Sequence, residues 1–258
     1  MKIIVLMKQV ANRDAVLRIA SDEKWINEAD VPMQTNESDG YALEEALRLK
    51  EAKGDGEVIV CSLGPQSAKA VIKDALARGA DRAIHVVVDN ANKLSPYQIA
   101  TAIAGAIKDE NADLVLTGLQ SDDAGYGQTG VIVAELLAIP HATIVIEVDR
   151  SSLDGSIRIK RELESGWYQW FSYQLPALLT IQSGISQIRY ASLKGIMAAK
   201  KKEVRDVTPK VADFASGQTI EKIYLPLKTK QTQILGGGDA KKGAAELVQK
   251  LRDDVRVL

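Results

Sequence analysis

The chain has 258 residues with a formal net charge of −1, which excludes a general nucleic-acid binder or a protein held on membranes by a basic surface. Its 46% hydrophobic residues suffice for one large α/β domain, or for one domain with a smaller appendage. No apolar segment approaches the roughly 20 residues that cross a bilayer, so membrane insertion is not expected.

The first predicted element is a strand at residues 3–7, where the chain is continuously apolar. No small-residue cleavage site follows, so we predict no signal peptide and a location in the bacterial cytoplasm or a mitochondrial-matrix-like compartment. A helix is predicted at 36–53 and a buried strand at 57–63. Cys61, the single cysteine, lies in that strand and is expected to be a buried thiol in a reducing compartment.

Strands and helices then continue to alternate as far as residue 148. The predicted helices cover 64–79, 95–110 and 127–139, and the predicted strands cover 83–88, 113–119 and 142–148. Ser95 is the expected N-cap of the second of these helices, with Pro96 at its first position. This alternation predicts an α/β fold with a Rossmann-like parallel sheet and helices on both faces. Ligands bind such sheets at the carboxyl ends of the strands.

Beyond residue 150 the pattern changes. Residues 156–175 alternate with period 2 around a Ser-Gly turn, which predicts an antiparallel hairpin. Its second strand is rich in aromatic residues, as is typical of a core or a subunit interface. One more buried strand is predicted within 176–184, and a last helix at 244–254. We therefore divide the chain into an α/β domain at 1–188 and an extended arm at 189–258 that is expected to pack on another chain.

The segment TGLQSDDAGYGQTG, residues 117–130, joins a predicted strand to a predicted helix. It lacks the spacing of a P-loop, and its G-x-G-x-x-G does not follow the first strand as a dinucleotide fingerprint would. The segment contains no lysine or arginine, so an anion would be bound by backbone N–H groups at the helix start, with Gln128 and Thr129 as further donors. The alternative is a tight turn before a capped helix.

Three further features each allow two interpretations. Asn36, Ser38 and Asp39 open a helix and are either caps or ligands of a ribose or base in the same crevice. Leu193 precedes three consecutive lysines and belongs either to a solvated helix end or to a mobile docking surface. The two histidines lie in or beside strands and are expected to be structural. No catalytic or metal-binding constellation is predicted.

In several long stretches the sequence resembles the β (small) subunits of electron transfer flavoproteins, nearly from end to end. The resemblance is closest to the bacterial branch that serves amine dehydrogenases. The stretches are MKIIVLMKQV at the start, LEEALRLKE (43–51), ALARGADRAIHV (75–86), LVLTGLQSDD with GQTG (114–130), IKRELESG (159–166) and PALLTIQSGISQIRYASLKGIMAAKKK (176–202).

This resemblance implies a fold of the adenine-nucleotide-binding type and a specific division of labour. The β subunit pairs with a larger α subunit that holds most of the redox-active FAD, and itself keeps a buried, structural AMP. Its C-terminal arm wraps on the α subunit. The heterodimer is an electron carrier rather than an enzyme. It accepts electrons from flavin-dependent dehydrogenases and passes them to a downstream quinone oxidoreductase.

The resemblance also assigns residues. A contact near the FAD falls on Arg13, where relatives often have an aromatic residue. The partner-docking residues are Tyr190, Leu193, Ile196, Met197, Lys200 and Lys201, with Leu193 as the anchor. The AMP site falls on the following residues: Leu6, Asn36, Glu37, Ser38, Asp39, Leu63, Gly118, Leu119, Gln120, Ser121, Asp122, Asp123, Ala124, Gly125, Tyr126, Gly127, Gln128 and Thr129.

Three alternatives remain open at this point. Bifurcating relatives bind a second FAD in place of AMP and oxidise NADH. They tend to have Val-Gly-Pro where this chain has Gln128-Thr129-Gly130, which favours AMP. A stand-alone nucleotide-binding sensor of the universal-stress type shares the sheet and the glycine loop but needs no arm. The third alternative is a scaffolding subunit with a vestigial site.

Overall fold

The computed structural model describes residues 1–29, 31–151, 153–209, 219–227 and 232–257. These residues form two compact units, Met1–Lys222 and Ile223–Leu258. Within the described residues, no helix has the length and apolarity needed to cross a membrane.

The first unit contains all the strands of the described chain. They are β1 (Lys2–Leu6), β2 (Gln9–Ala11), β3 (Met33–Thr35), β4 (Glu57–Gly64), β5 (Arg82–Val87), β6 (Leu114–Gly118), β7 (His141–Asp149), β8 (Ser156–Glu162), β9 (Tyr168–Gln174), β10 (Ala177–Ile181) and β11 (Val204–Val207). Its α-helices are α1 (Glu37–Lys53), α2 (Lys69–Arg78), α3 (Pro96–Ile107), α4 (Thr129–Leu136) and α5 (Leu193–Ala199).

The main sheet has nine strands in the order β11-β5-β4-β1-β6-β10-β7-β8-β9. Strand pairs are parallel from β11 to β7 and antiparallel from β7 to β9. The predicted parallel sheet and antiparallel hairpin are therefore confirmed. Strand β10 follows the hairpin in sequence but inserts between β6 and β7, so a segment from after the hairpin completes the parallel part of the sheet.

Helices cover both faces of the sheet, as predicted, because the parallel strands carry apolar side chains on both sides. In β1, Ile3 and Val5 pack in one core with side chains of α1 and α2. Ile4 and Leu6 point to the opposite face and pack with side chains of α3 and α4. Each such buried side chain contributes roughly 1.5–3 kcal/mol relative to its exposed state. The two cores hold the strand ends, and thus the loops beyond them, in fixed positions.

The helix ends follow the local sequence. Ser95 is the N-cap of α3, as predicted. It accepts a hydrogen bond from the Gln98 N–H, and the two residues form a reciprocal capping box, which was not predicted. Gly54 and Gly79 end α1 and α2, again as predicted. In the second unit, α6 (Ala240–Lys250) begins at Asp239, and a π-helical turn at Leu251–Val255 follows it. The last helix therefore starts four residues earlier than the sequence pattern predicted.

Two parts of the first unit were not predicted. Strands β2 and β3 form a separate antiparallel pair, and each is only three residues long, too short to give a periodic signal. Strand β11 pairs in parallel with β5, so a segment beyond residue 188 returns to the edge of the main sheet. The assignment of 189–258 to an arm on a partner chain stays a prediction.

The aromatic strand β9 has two different faces. Phe171 and Tyr173 pack against the core, whereas Trp167, Tyr168 and Trp170 are exposed. On the exposed face, the Arg158 guanidinium lies 4.4 Å from the centre of the Trp170 ring. The strand thus serves as core on one side and presents aromatic rings to its surroundings on the other.

Candidate functional site

A cavity of about 690 Å³ lies where β1, β4 and β6 end. This is the edge at which parallel sheets bind ligands. The predicted AMP residues that line it are Leu6, Asn36, Asp39, Leu63, Gly118, Leu119, Gln120, Ser121, Asp123, Ala124, Tyr126, Gly127, Gln128 and Thr129. The structure therefore brings together residues from four separated parts of the sequence.

Gly118 is the last residue of β6. Because it has no side chain, the start of α1 packs directly against the backbone of the strand. A Cβ at this position would lie 2.1 Å from Ser38 Oγ and 2.5 Å from Asp39 Oδ1. No other residue fits there without displacing α1. The close approach forms the floor of the cavity and explains why a strand rich in branched residues ends in glycine.

Asn36 and Ser38 join the start of α1 to the loop between β6 and α4, which we call the glycine loop (Leu119–Gln128). The Asn36 amide donates to the Gln120 carbonyl at 3.0 Å and its oxygen accepts the Asp122 N–H at 2.9 Å. The Ser38 hydroxyl donates to the same Gln120 carbonyl at 2.8 Å. Neither side chain caps α1, so the interpretation of these residues as simple caps is wrong.

Asp39 is buried, and its two oxygens face opposite sides of the site. One accepts the Lys8 N–H at 2.7 Å and the other the Gly118 N–H at 2.9 Å. Burial raises the pKa of Asp39 to about 7, although the two backbone hydrogen bonds lower it in part. The carboxyl group therefore ties β1 to β6 and is able to change its protonation state near neutral pH.

Lys8 supplies a cation that the glycine loop lacks. Its ammonium lies 2.6 Å from Asp123 Oδ1 and 3.4 Å from Ser121 Oγ. Burial tends to raise the pKa of Asp123, but the charge and hydrogen bond of Lys8 outweigh it and hold the pKa below its usual value. The sequence of the loop alone does not indicate this residue, because Lys8 lies 115 positions before Asp123. The position of Lys8 directly beyond the end of β1 was the available signal.

Four predicted AMP residues do not line the cavity: Glu37, Ser38, Asp122 and Gly125. Glu37 and Asp122 instead bind Arg13 on the outside of the loop, with the Arg13 guanidinium 3.1 Å from Asp122. Arg13, predicted to lie near FAD, is thus an exposed residue held by two carboxylates. Its position relative to a flavin stays a prediction.

The glycine loop leads directly into α4. Gly125 and Gly127 both have positive φ values, +64° and +62°, which turn the chain toward the helix start. Gln128 is the N-cap residue, and the first N–H groups of a helix have no partner within the helix. These groups and the helix dipole form an environment that favours an anion.

Further walls of the cavity were not predicted. The β5–α3 connection contributes Asp89 and the stretch 91–96, which follows the same strand edge as the other loops. Trp25 and Ile220 also line the cavity. The local sequence around Trp25 and Ile220 does not indicate a position at this site, because both residues lie in irregular segments outside the regular elements.

The predicted docking residues lie together around α5. Tyr190 and Leu193 are 96% and 76% exposed, and Ile196, Met197, Lys200 and Lys201 are exposed as well. Lys202, the third lysine of the run, differs from its neighbours because its ammonium donates to the Leu76 and Ala80 carbonyls at the end of α2. Of the three lysines, Lys200 and Lys201 are therefore exposed, whereas Lys202 is bonded to the end of α2.

His85 and Cys61, two further titratable residues, are both buried in the fold. His85 is buried, and its Nε2 lies 3.1 Å from the Gly64 carbonyl oxygen. Burial raises the pKa of the Cys61 thiol to about 12, which makes it a poor nucleophile. Across the described residues, no group of three or more histidine, cysteine, aspartate or glutamate side chains is arranged to hold a metal ion.

Comparison with known proteins gives a consistent result. A family model of the electron transfer flavoprotein domain matches residues 24–212. The chain is 35% identical to the electron transfer flavoprotein subunit beta of Methylophilus methylotrophus, over 98% of both chains. It is 34% identical to the mitochondrial electron transfer flavoprotein subunit beta of Oryza sativa subsp. indica over the full length of both chains. It is 36% identical to the electron transfer flavoprotein subunit beta of Homo sapiens over 81% of this chain and 82% of the human chain. The chain therefore belongs to the electron transfer flavoprotein family, among its β subunits.

Proposed function

We propose that this chain pairs with an electron transfer flavoprotein α subunit, binds a structural AMP and helps to hold the FAD of the α subunit. The heterodimer docks flavin-dependent dehydrogenases and passes their electrons to a downstream quinone oxidoreductase. It acts as a carrier in the bacterial cytoplasm or a mitochondrial-matrix-like compartment. The observation that carries the proposal is the cavity at the ends of β1, β4 and β6, in a chain of this family.

The residues of the cavity fit an adenine mononucleotide. Its volume of about 690 Å³ lies within the range of small-molecule sites, roughly 300–1,000 Å³. The start of α4 and Lys8 would hold the phosphate, because both are positively polarised. Asn36 and Asp39, which also line the cavity, would orient the sugar or base.

The same groups suit a phosphate that does not react. Phosphoryl transfer requires positive charge that stabilises the transition state. Lys8, a cation beside the glycine loop, is already paired with Asp123, and the backbone N–H groups at the start of α4 are fixed donors. Electron transfer in this proposal is supplied by FAD, which accepts and releases electrons when bound to the heterodimer.

One observation favours a second candidate. The cavity extends to Trp25 and Ile220, walls that the predicted AMP residues do not include. A larger ligand than AMP would use them, as in the bifurcating alternative with a second FAD and NADH oxidation.

The nucleotide content of the purified heterodimer tests the proposal. We expect acid extraction to release one FAD and one AMP for each heterodimer. Two FAD molecules would establish the bifurcating alternative, and a heterodimer with FAD but no AMP would indicate a scaffold with a vestigial site. A chain that binds nucleotide as a stable monomer and forms no heterodimer with an α subunit would indicate a stand-alone sensor.

A further inference from the structure

The docking segment, residues 190–201, is fastened to the α/β domain at both ends and along its helix. We propose that Arg189 and Lys202 are positioning residues that clamp this segment on α1 and α2, so that its apolar side chains are presented in one orientation. The inference rests on the docking role proposed above and adds the residues that set the docking geometry.

The first clamp joins Arg189 to α1. Its backbone N–H donates to Glu44 at 3.0 Å, and its guanidinium donates to both Glu44 oxygens, at 2.9 and 3.1 Å. A further guanidinium nitrogen lies 2.6 Å from Glu51. The Glu44 side chain is only 3% exposed, so these charge-assisted bonds form in partly dry surroundings, where they are strong. The chain entering the docking segment is therefore fixed in direction.

The second clamp joins Lys202 to the end of α2. The ammonium donates to the Leu76 carbonyl at 2.9 Å and to the Ala80 carbonyl at 2.6 Å. A positive charge is favoured at a helix C-terminus, where carbonyl groups have no partner within the helix. The partial burial of Lys202 lowers its pKa, yet its bonds to two carbonyls hold the side chain in place.

Between the clamps, α5 lies against α2 at backbone distance. A Cβ on Gly195 would lie 2.2 Å from the Ala77 carbonyl oxygen. Helix α5 has only seven residues, and an isolated helix of that length is not stable in water. Because Leu193 and Met197 point away from the domain, they contribute no packing that would hold it. Contacts with α2 and the two clamps must therefore maintain the helix.

A clamped segment has a clear consequence for docking. An exposed surface loop loses conformational entropy when a partner orders it, and prior ordering removes that cost. Arg189 and Lys202 lie at the ends of the segment and leave the exposed apolar side chains between them uncovered. They would thus increase the affinity for a partner without contacting it.

Hydrogen exchange of the purified heterodimer tests the clamps directly. We expect Lys202→Met and Arg189→Gln to increase the exchange rate of the α5 amides roughly tenfold or more, while other helices keep their rates. Glu44 keeps Arg48 at 2.8 Å, so loss of Arg189 does not leave a buried carboxylate unpaired. Lys73→Met on the exposed side of α2 removes the same charge and should change nothing. Lys202→Arg should restore most of the protection.

Steady-state reduction by an amine dehydrogenase adds a functional readout. The clamp variants should raise the KM for the heterodimer about tenfold and leave the limiting rate unchanged, because the docking surface itself is intact. Unchanged α5 exchange in both variants, or a KM equal to the wild-type value despite faster exchange, would overturn the clamp proposal. A wild-type heterodimer that no flavin-dependent dehydrogenase reduces would instead count against the proposed docking function.

Discussion

The candidate nucleotide cavity and the proposed docking segment differ in how their side chains are held by the rest of the chain. In the cavity, the polar side chains are buried and already paired: Asn36 is 1% exposed, Asp39 is 4% exposed, and both bond to neighbouring segments. In the docking segment, the apolar side chains of Tyr190 and Leu193 face outward. The binding groups of the cavity are thus part of the folded structure, whereas those of the docking segment are attached to it.

This difference separates two kinds of substitution. A change at Asn36, Ser38 or Asp39 breaks hydrogen bonds that join α1 to β1 or to the glycine loop, so it alters folding as well as ligand binding. A change at the tip of the docking segment removes side-chain atoms that have few neighbours. Measurements of the free energy of unfolding therefore test whether substitutions in the two regions differ in this way.

The largest effect is expected for Gly118→Ala. The new Cβ would meet Ser38 Oγ, Asp39 Oδ1 and the Asp39 backbone nitrogen within 2.8 Å, so the start of α1 must move away from β6. We expect a loss of about 4 kcal/mol or more in the free energy of unfolding, together with loss of bound nucleotide. Urea unfolding of the heterodimer and nucleotide extraction provide the measurements.

Gly105→Ala in α3 is the matched control. No atom lies within 4 Å of a Cβ at this position, and alanine is favoured over glycine in a helix by about 1 kcal/mol. The control should therefore be neutral or stabilising. Similar stability of the two variants would show that the contact between α1 and β6 is adaptable, and the contrast between cavity and surface would lose its main support.

The fold was largely predictable from the sequence because its signal is periodic. Continuous apolar strands such as β1 and amphipathic or capped helices such as α3 repeat over many residues, and the parallel topology follows from their alternation. Strand β11 escaped prediction because its pattern, Val-Arg-Asp-Val, is short and only half buried at the sheet edge.

The site was predictable to a smaller degree. The glycine loop and the start of α1 were found, and their place in one cavity followed from the rule for strand ends. Lys8 was not predicted because its ion pair joins residues 115 positions apart, and the local sequence of the loop contains no sign of it. Trp25 and Ile220 were not accessible to sequence reasoning, since their placement depends on the tertiary course of irregular segments.

The second prediction concerns pH. Because burial raises the folded-state pKa of Asp39 to about 7, the folded chain retains a proton that the unfolded chain releases near pH 4. The contribution of Asp39 to stability therefore falls as the pH rises from about 4 to about 7, by roughly 3 kcal/mol. Asp39→Asn cannot titrate, so the wild type should lose stability relative to this variant over that interval, as urea unfolding at several pH values would measure. Parallel pH profiles would mean that the two N–H bonds keep Asp39 ionised.

Asn36→Ala should have the third-largest effect. It removes a donor to the Gln120 carbonyl and leaves the Asp122 N–H without its acceptor, so we expect a loss of about 2 kcal/mol and faster release of the nucleotide. Asn92→Ala, an exposed asparagine at the cavity wall, is the control and should stay within about 0.5 kcal/mol of wild type. Equal effects at both positions would show that the bridge between α1 and the glycine loop contributes little.

The smallest effect on stability, and the largest on docking, is expected for Leu193→Ala. Because the side chain is 76% exposed, the free energy of unfolding should change by less than about 0.5 kcal/mol and the flavin content should stay the same. An anchor that fills a pocket on its partner contributes about 2 kcal/mol or more, so electron transfer from an amine dehydrogenase should slow at least tenfold. Val16→Ala, at a side chain that is 83% exposed elsewhere on the chain, should alter neither property. Loss of flavin from the Leu193 variant would instead show that α5 belongs to the folded structure in the same way as the cavity does, and the distinction between the two regions would fail.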